Sequence, residues 1–313
     1  MNSEKVSVTC VRNTKMERTL HYTVPDSGHL LKVSQYLKRQ GYSERNLTEL
    51  KKTSGSVLVN EFPVFLNERL SAGDQITIHL KENVPSENII PVKLPLSVIY
   101  EDDDLIILDK PAKMPVHPSS SNQRNTLANA LAWYYKEQGI PFVFRCTNRL
   151  DQDTSGLVLI AKHMISSSAI SAMARQHQIR REYLAAVRGH VTPPSGTIDA
   201  PLSRVPGRLI VQMVDYAHGE RAVTHYQTVY EKNGHSLVSL LLETGRTHQI
   251  RIHMKHLGYP LIGDYLYNPD MEHIDRQALH SYRLSFCHPV TKEPMDFLSP
   301  LPDDMQSIFN DDH

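Results

Sequence analysis

Residues Thr147 to His163 read TNRLDQDTSGLVLIAKH. The second half, GLVLIAK, is an unbroken apolar run of strand length, the pattern of a strand buried on both faces. The first half sets Arg149 and two carboxylates, Asp151 and Asp153, directly before that strand, with a Thr-Ser-Gly turn between. An acid in such a place is either a turn or cap aspartate or a group delivered to chemistry. The rest of the chain has to decide between the two.

Working outward, strands outnumber helices and do not alternate strictly with them. SVIYEDDDLIILDKP reads as two short strands around an acidic turn. TLANALAWYYKEQG reads as an amphipathic helix with Leu127, Ala130, Leu131 and Tyr134 on one face and Thr126 as its cap. SSSAISAMARQHQI is helical and REYLAAVRG is a strand. AVTHYQTVYEKNGHSLVSLLLE is a hairpin, because Asn233-Gly234 sits between two β-rich runs. THQIRIHMKHLG is a helix closed by Gly258, with Pro260 two residues on. This order predicts an α+β domain with a largely antiparallel mixed sheet, not a doubly wound parallel one. Upstream, KENVPSENIIPVKLP has three prolines and little periodicity and reads as a linker. Before it, His29 to Lys81 holds two helices, the second capped by Ser43, and then short strands. The expected organisation is an N-terminal module over 1–82, a linker over 83–96 and a larger domain over 97–313.

With 313 residues the chain buries a core without metal or disulfide staples. No apolar run approaches bilayer length, and MNSEKVSVTC lacks the apolar core of a signal peptide. Cys10, Cys146 and Cys287 are far apart and odd in number, as in reduced thiols of a cytoplasmic protein. Net charge is zero, but it is unevenly spread. Arg175, Arg180, Arg181 and Arg188 face Glu182 alone, whereas Asp303, Asp304, Asp311 and Asp312 make the tail acidic. Such a run is either solvated surface or a steering patch for a polyanion.

Two other readings of the acidic turn fail on spacing. Asp151, Asp153, Ser155 and Gly156 fit the opening of a calcium loop, but the twelfth position, which has to be a bidentate Glu, is Lys162. A double-aspartate phosphatase needs its nucleophile at the end of an apolar strand, and here RCTNRL precedes the acid. Taken whole, RLDQDTSGL followed by VLIAK resembles the signature of the RluA-like RNA pseudouridine synthases. PLSVIYEDDDLIILDKPAKMPVHPS, REYLAAVRG, LLETGRTHQIRIHMKHLGYPLIGDYLY and LHSYRLSFCHPVTKEPMDFLSPLP resemble further motifs of that family, in the expected order from Pro95 to Pro302. The two-helix stretch upstream, with Lys38, Arg39, Arg45, Lys51 and Lys52, resembles the small S4 RNA-binding domain.

The resemblance implies isomerisation of uridine to pseudouridine in structured RNA, ribosomal or transfer, with no cofactor. The base leaves, rotates in place and is recaptured through carbon. A carboxylate serves this as nucleophile at C1′ or C6, or as a base on the sugar. Hydrolytic glycosidases need two acids, but here the leaving uracil is a stabilised anion and one suffices. The resemblance assigns Asp151 as that acid, Arg246 as the guanidinium that pairs with it, and Tyr183 as the ring stacked on the base. The base has to be flipped out of the stack. Arg149 then either fills the vacancy or braces Asp151 through a salt bridge. His248 and Gln249 are expected to hydrogen-bond the sheet or RNA, and Lys38 and Arg45 to contact RNA. His248, His253 and His256 cluster, but no Asp, Glu or Cys stands at ligand spacing, so no metal is expected. Two positions depart from the family pattern. Asn148 replaces a His before Arg-Leu-Asp, and Lys113 replaces a Gly, which is expected to reshape that turn because lysine tolerates positive φ poorly. RNA is the expected partner of a monomer with no membrane contact. The alternatives are a non-catalytic RNA-binding or ribosome-assembly protein on the same scaffold, and a phosphatase using Asp151 and Asp153.

Overall fold

The computed structural model describes residues 17–82, 85–208, 210–269 and 271–310. Cys10, Asp311 and Asp312 lie outside the described residues. The first part of the chain forms β1 (Glu17–Thr23), α1 (Val33–Arg39), α2 (Glu44–Lys52), β2 (Val57–Val59), β3 (Phe62–Pro63) and β4 (Gln75–Lys81). Its strands make an antiparallel sheet in the order β1-β4-β2-β3. The alternation of Ile76, Ile78 and Leu80 turns one face of β4 toward Val33 and Leu37 of α1 and Leu47 and Leu50 of α2. Ser43 starts α2 as expected, its Oγ accepting from Asn46 N at 3.2 Å while Asn46 Oδ1 accepts from Ser43 N at 2.9 Å. β1 was not foreseen: Leu20 is its one buried side chain, so it has no alternation to read.

The larger part contains β5 (Ser97–Glu101), β6 (Leu105–Lys110), α3 (Leu127–Lys136), β7 (Ser155–Ala161), α4 (Met164–Arg175), β8 (Arg180–Arg188) and β9 (Ser195–Asp199). It continues with β10 (Leu202–Arg204), β11 (Gln212–Val214), β12 (Val223–Lys232), β13 (His235–Leu242), α5 (Gln249–His256), β14 (Leu279–Cys287), β15 (Pro294–Leu298) and α6 (Asp303–Gln306). Nine of these strands form one sheet, β5-β6-β7-β14-β8-β13-β12-β9, with β15 on the free half of β14. Every pairing in it is antiparallel except β7 with β14. This is the α+β architecture with a mostly antiparallel mixed sheet that the order of elements predicts.

Both faces of the sheet are covered, which is why GLVLIAK is apolar throughout. Ile106 and Leu108 of β6 and Val158 and Ile160 of β7 pack with Leu127, Leu131 and Tyr135 of α3. Leu105 and Ile107, with Leu157 and Leu159, face the other way onto Ile170 of α4. Each such buried Leu or Ile stabilises by about 1.5–3 kcal/mol. The hairpin between β12 and β13 turns at Asn233 (φ 53°) and Gly234 (φ 72°), the left-handed pair that Asn-Gly favours. The expected linker has no helix or strand over 85–96, yet it is laid against the larger part. Asn129 Nδ2 donates to Ile90 O at 2.7 Å, and Ile89, Leu94 and Leu96 pack on the α3 side of the sheet.

Candidate active site

The loop that carries Asp151 is fixed to the sheet at several points. Leu159 N donates to Asn148 Oδ1 at 2.8 Å and Asn148 Nδ2 donates to Leu157 O at 3.2 Å, so this buried amide stitches the loop to β7. That is work an imidazole at the same position would do differently, and it needs no charge. Thr154 N donates to Asp151 O at 3.2 Å and closes the turn. Gly156 (φ +106°) answers why a glycine follows: an added Cβ would stand 2.3 Å from Ser281 O, where β14 runs against β7. Ser155 Oγ meets His280 Nδ1 at 2.9 Å across the same crossing.

Lys110 ties the loop from below. Its side chain is fully buried, and its Nζ donates to Pro111 O and Met114 O at 2.8 Å and to Gln152 O at 2.9 Å. Burial pulls its pKa down to about 7, against the raising effect of Asp153. The Lys-Pro-Ala turn keeps the left-handed residue that a glycine would supply, because Lys113 itself adopts φ 63° and its ammonium pairs with Asp275. The expectation of a reshaped turn is therefore corrected. The strain at Lys113 is held in place by an ion pair and by the Lys110 contacts beside it.

Asp151 opens onto a cleft of about 670 Å³ bounded by the His117 turn, the 147–154 loop, β8 and the start of α5. Its side chain is 28% exposed. Its Oδ2 accepts from Arg251 NH1 at 3.0 Å and stands 3.7 Å from His248 Nε2. Among the described residues its Oδ1 has no partner and faces the cleft. Arg251 is buried, and its Nε and NH2 donate to the two oxygens of buried Asp264, each at 2.7 Å. Burial works against the guanidinium's charge, but Asp264 and Asp151 outweigh it and raise its pKa. Arg251 also lies over the rings of Tyr267 and Tyr265, at 5.1 and 5.9 Å.

Arg251, not Arg246, is thus the cation paired with Asp151. Arg246 sits on the rim, where NH1 pairs with Glu220 and Nε donates to Arg221 O at 3.2 Å. The reason is helical: α5 begins at Gln249, so Arg251 falls in the first turn on the buried side, whereas Arg246 precedes the helix. Two isoleucines flank Arg251 and Asp264 follows it, a pattern that marks a buried, paired arginine. Of the two roles expected for Gln249, the structure shows the bond to the sheet and not the one to RNA. Gln249 is buried, with Oε1 accepting from Thr244 Oγ1 (2.8 Å) and Arg246 N (3.0 Å) and Nε2 donating to Val223 O (2.9 Å) and Thr224 Oγ1 (3.0 Å). It shapes the approach to α5 and has no hydrogen bond left for RNA.

His248 enters the cleft from a left-handed residue (φ 56°), and its Nδ1 lies 2.9 Å from Tyr267 Oη. Burial lowers its pKa in spite of nearby Asp151, which favours a neutral ring. His253 has both ring nitrogens engaged, with Thr224 Oγ1 at 2.8 Å and Ala200 O at 2.9 Å, while His256 is exposed beside Tyr216. Tyr183 on β8 lines the cleft and is buried, and that burial raises its phenol pKa. Arg149 is exposed in the cleft and makes no ion pair with Asp151, so the bracing role is not the one it plays here. Asp153 does not line the cleft; Arg276 NH1 donates to its carbonyl at 3.2 Å. The two-aspartate phosphatase site is not assembled. Lys38, paired with Glu44, and the exposed Arg45 lie on α1 and α2 and line no part of this cleft.

Comparison with known proteins agrees with this arrangement. Residues 104–256 match the family model described as RNA pseudouridylate synthase. The uncharacterized RNA pseudouridine synthase YjbO of Bacillus subtilis is 38% identical over 276 residues, covering 88% of this chain and 97% of that protein. The ribosomal large subunit pseudouridine synthase D of Escherichia coli K12 is 36% identical over 257 residues, 77% of each chain. Among solved structures, human RNA pseudouridylate synthase domain containing 1 is similar with a TM-score of 0.55 at 25% identity, over 66% of this chain and 83% of that one. With an open aspartate on a buried arginine at the mouth of its central sheet, the chain belongs to the RNA pseudouridine synthase family, the RluA-like enzymes that isomerise uridine in RNA.

Proposed function

We propose that Asp151 performs the isomerisation, on uridines of large-subunit ribosomal RNA. The observation that carries the first half is the division of labour within one carboxylate. Oδ2 is held by Arg251, which is itself locked by Asp264, while Oδ1 faces the cleft unpartnered. A fixed direction and an adjacent cation are what an ionised nucleophile or base needs in a partly dry site. The substrate half rests on the printed names of relatives such as the Escherichia coli enzyme.

In this reading a flipped uridine enters the cleft and Asp151 Oδ1 attacks C1′ or C6, or takes a proton from the sugar. The C1′–N1 bond breaks with its electron pair leaving on uracil. The ring turns and C5 bonds to C1′ as the bond from Asp151 to C1′ or C6 breaks or, on the third route, the sugar takes its proton back. C5 then loses its proton, N1 gains one, and Asp151 is again a free carboxylate. Tyr183 stacks on the base, Arg149 occupies the vacancy in the RNA stack, and His248 contacts the nucleotide from the opposite wall. Residues 17–82 act as a small S4-like module, with Lys38 and Arg45 on RNA, ahead of a linker over 83–96 and the catalytic domain. The protein works as a cytoplasmic monomer with no cofactor. Purified protein, given unmodified large-subunit transcript tritiated at uracil C5 and chelator, should release the label and leave pseudouridine at mapped positions. Absence of release from ribosomal RNA but release from transfer RNA would overturn the substrate half. Full release by Asp151→Asn would overturn the mechanism.

A further inference from the structure

We infer that Arg181 is the residue that grips the RNA backbone at the reaction cleft, binding a phosphodiester next to the target uridine. The inference rests on the cleft being the RNA site. Arg181 and Tyr183 are two apart on β8, so their side chains project from the same face of the strand, and both line the cleft. Glu182 between them faces away, where its Oε1 accepts from Ser239 Oγ at 3.0 Å.

Among the described residues the Arg181 guanidinium has no hydrogen-bond or ion-pair partner, and its Nε is buried without an acceptor. Of the other arginines around the site, Arg251 is held by Asp264 and Asp151, Arg246 by Glu220 and Arg221 by Glu243, while Arg149 is exposed at the 147–154 loop, where the base-flipping role is proposed for it. A half-buried guanidinium that lines the cleft and has no acceptor within the protein is open to one brought by a ligand. An anion with several oxygens matches the NH1 and NH2 donors of its fork.

Its place decides which anion. Arg181 stands one strand repeat, roughly 6–7 Å, from Tyr183 toward the rim. There the fork lies over Gly245, with NH1 3.4 Å and NH2 3.6 Å from where a Cβ would be. If the base stacks on Tyr183, the charge that RNA carries a sugar's length away is its phosphate. A nucleotide phosphate therefore supplies the acceptors that the protein does not.

The test measures binding and turnover separately, on unmodified large-subunit ribosomal transcript across a salt series. Wild type, Arg181→Gln and Arg181→Lys are compared, with thermal melting to confirm that each folds. Losing one phosphate contact should weaken RNA binding about tenfold and reduce the slope of log K against log salt by about 0.7–1. The loss in kcat/KM should fall mainly on KM, and Arg181→Lys should recover part of the affinity because it keeps the charge but not the fork. An unchanged Kd and salt slope in Arg181→Gln, or a loss confined to kcat, overturns the proposal. Wild-type protein that binds this RNA in an Arg181-dependent way but forms no pseudouridine in any RNA overturns the functional reading and leaves this contact standing.

Discussion

Two buried arginine–carboxylate clusters in this molecule use the same groups to opposite ends. At the cleft, Arg251 holds Asp264 with two hydrogen bonds and spares NH1 for one oxygen of Asp151. Where the two sheets meet, Arg18 of β1 holds both oxygens of Asp104 at 2.9 Å, and His163 adds a third contact at 2.7 Å. Asp104 is sealed, with its side chain 3% exposed against 28% for Asp151. Asp102 and His288, 3.0 Å apart, complete the second cluster. Asp102, Asp104 and His288 have metal-like spacing, but Arg18 already occupies Asp104. The difference is one of saturation. A carboxylate whose acceptors are all filled joins two parts of a fold, and one with an oxygen left over at a cleft is available for chemistry.

That contrast is broken most directly by removing the spare oxygen's charge. Asp151→Asn should cut pseudouridine formation by at least about a thousandfold while shifting stability little, since a half-exposed group away from core packing costs roughly 0.5 kcal/mol or less. Turnover assays beside denaturant unfolding measure both, and a large stability loss would make Asp151 a structural residue like Asp104. Arg251→Met should be severe in both readouts. It leaves Asp264 buried without its partner, for about 3–5 kcal/mol. Adding Asp264→Asn should restore part of the stability and none of the activity. Activity recovering with stability would mean that Arg251 serves only the fold.

Asp104 sharpens the other side. Burial alone would raise its carboxyl pKa, but hydrogen bonds from His163 and Arg18 prevail and hold it at about 2. A carboxylate with a lowered folded pKa contributes stability above its unfolded value near 4, and loses it as pH falls through about 2. Asp104→Asn should therefore cost about 2 kcal/mol at pH 7, with the difference from wild type vanishing below pH 2, while turnover stays near normal. A pH-independent difference would locate the effect in packing instead. The smallest effect belongs to Arg246→Gln, whose ion pair with Glu220 is half exposed and worth less than about 1 kcal/mol. Turnover falling as far as in Arg251→Met would return Arg246 to the role of the acid's partner.

The cleft was legible in uneven measure. Asp151 and Tyr183 are readable because the motifs around them are linear, and β7 and β8 are strong strand patterns. The choice between Arg246 and Arg251 is not, because both lie in the same ten residues and only the starting point of α5 decides which one turns inward. Gln249 has the chemistry of a contact residue and the position of a brace. The dual role of Lys110 is invisible in the sequence, since its three acceptors come from residues 1, 4 and 42 positions away.

By itself the sequence determined the kind of most elements, the face of each that is buried and which aspartate its linked motifs single out, because these follow from local periodicity and contiguous motifs. The tertiary structure alone decided which cation meets Asp151, which of its oxygens stays open, and that Arg181 stands without a partner among the described residues. Those facts depend on groups up to a hundred residues apart being brought within about 3 Å, and distances across a fold are not written in the order of its residues.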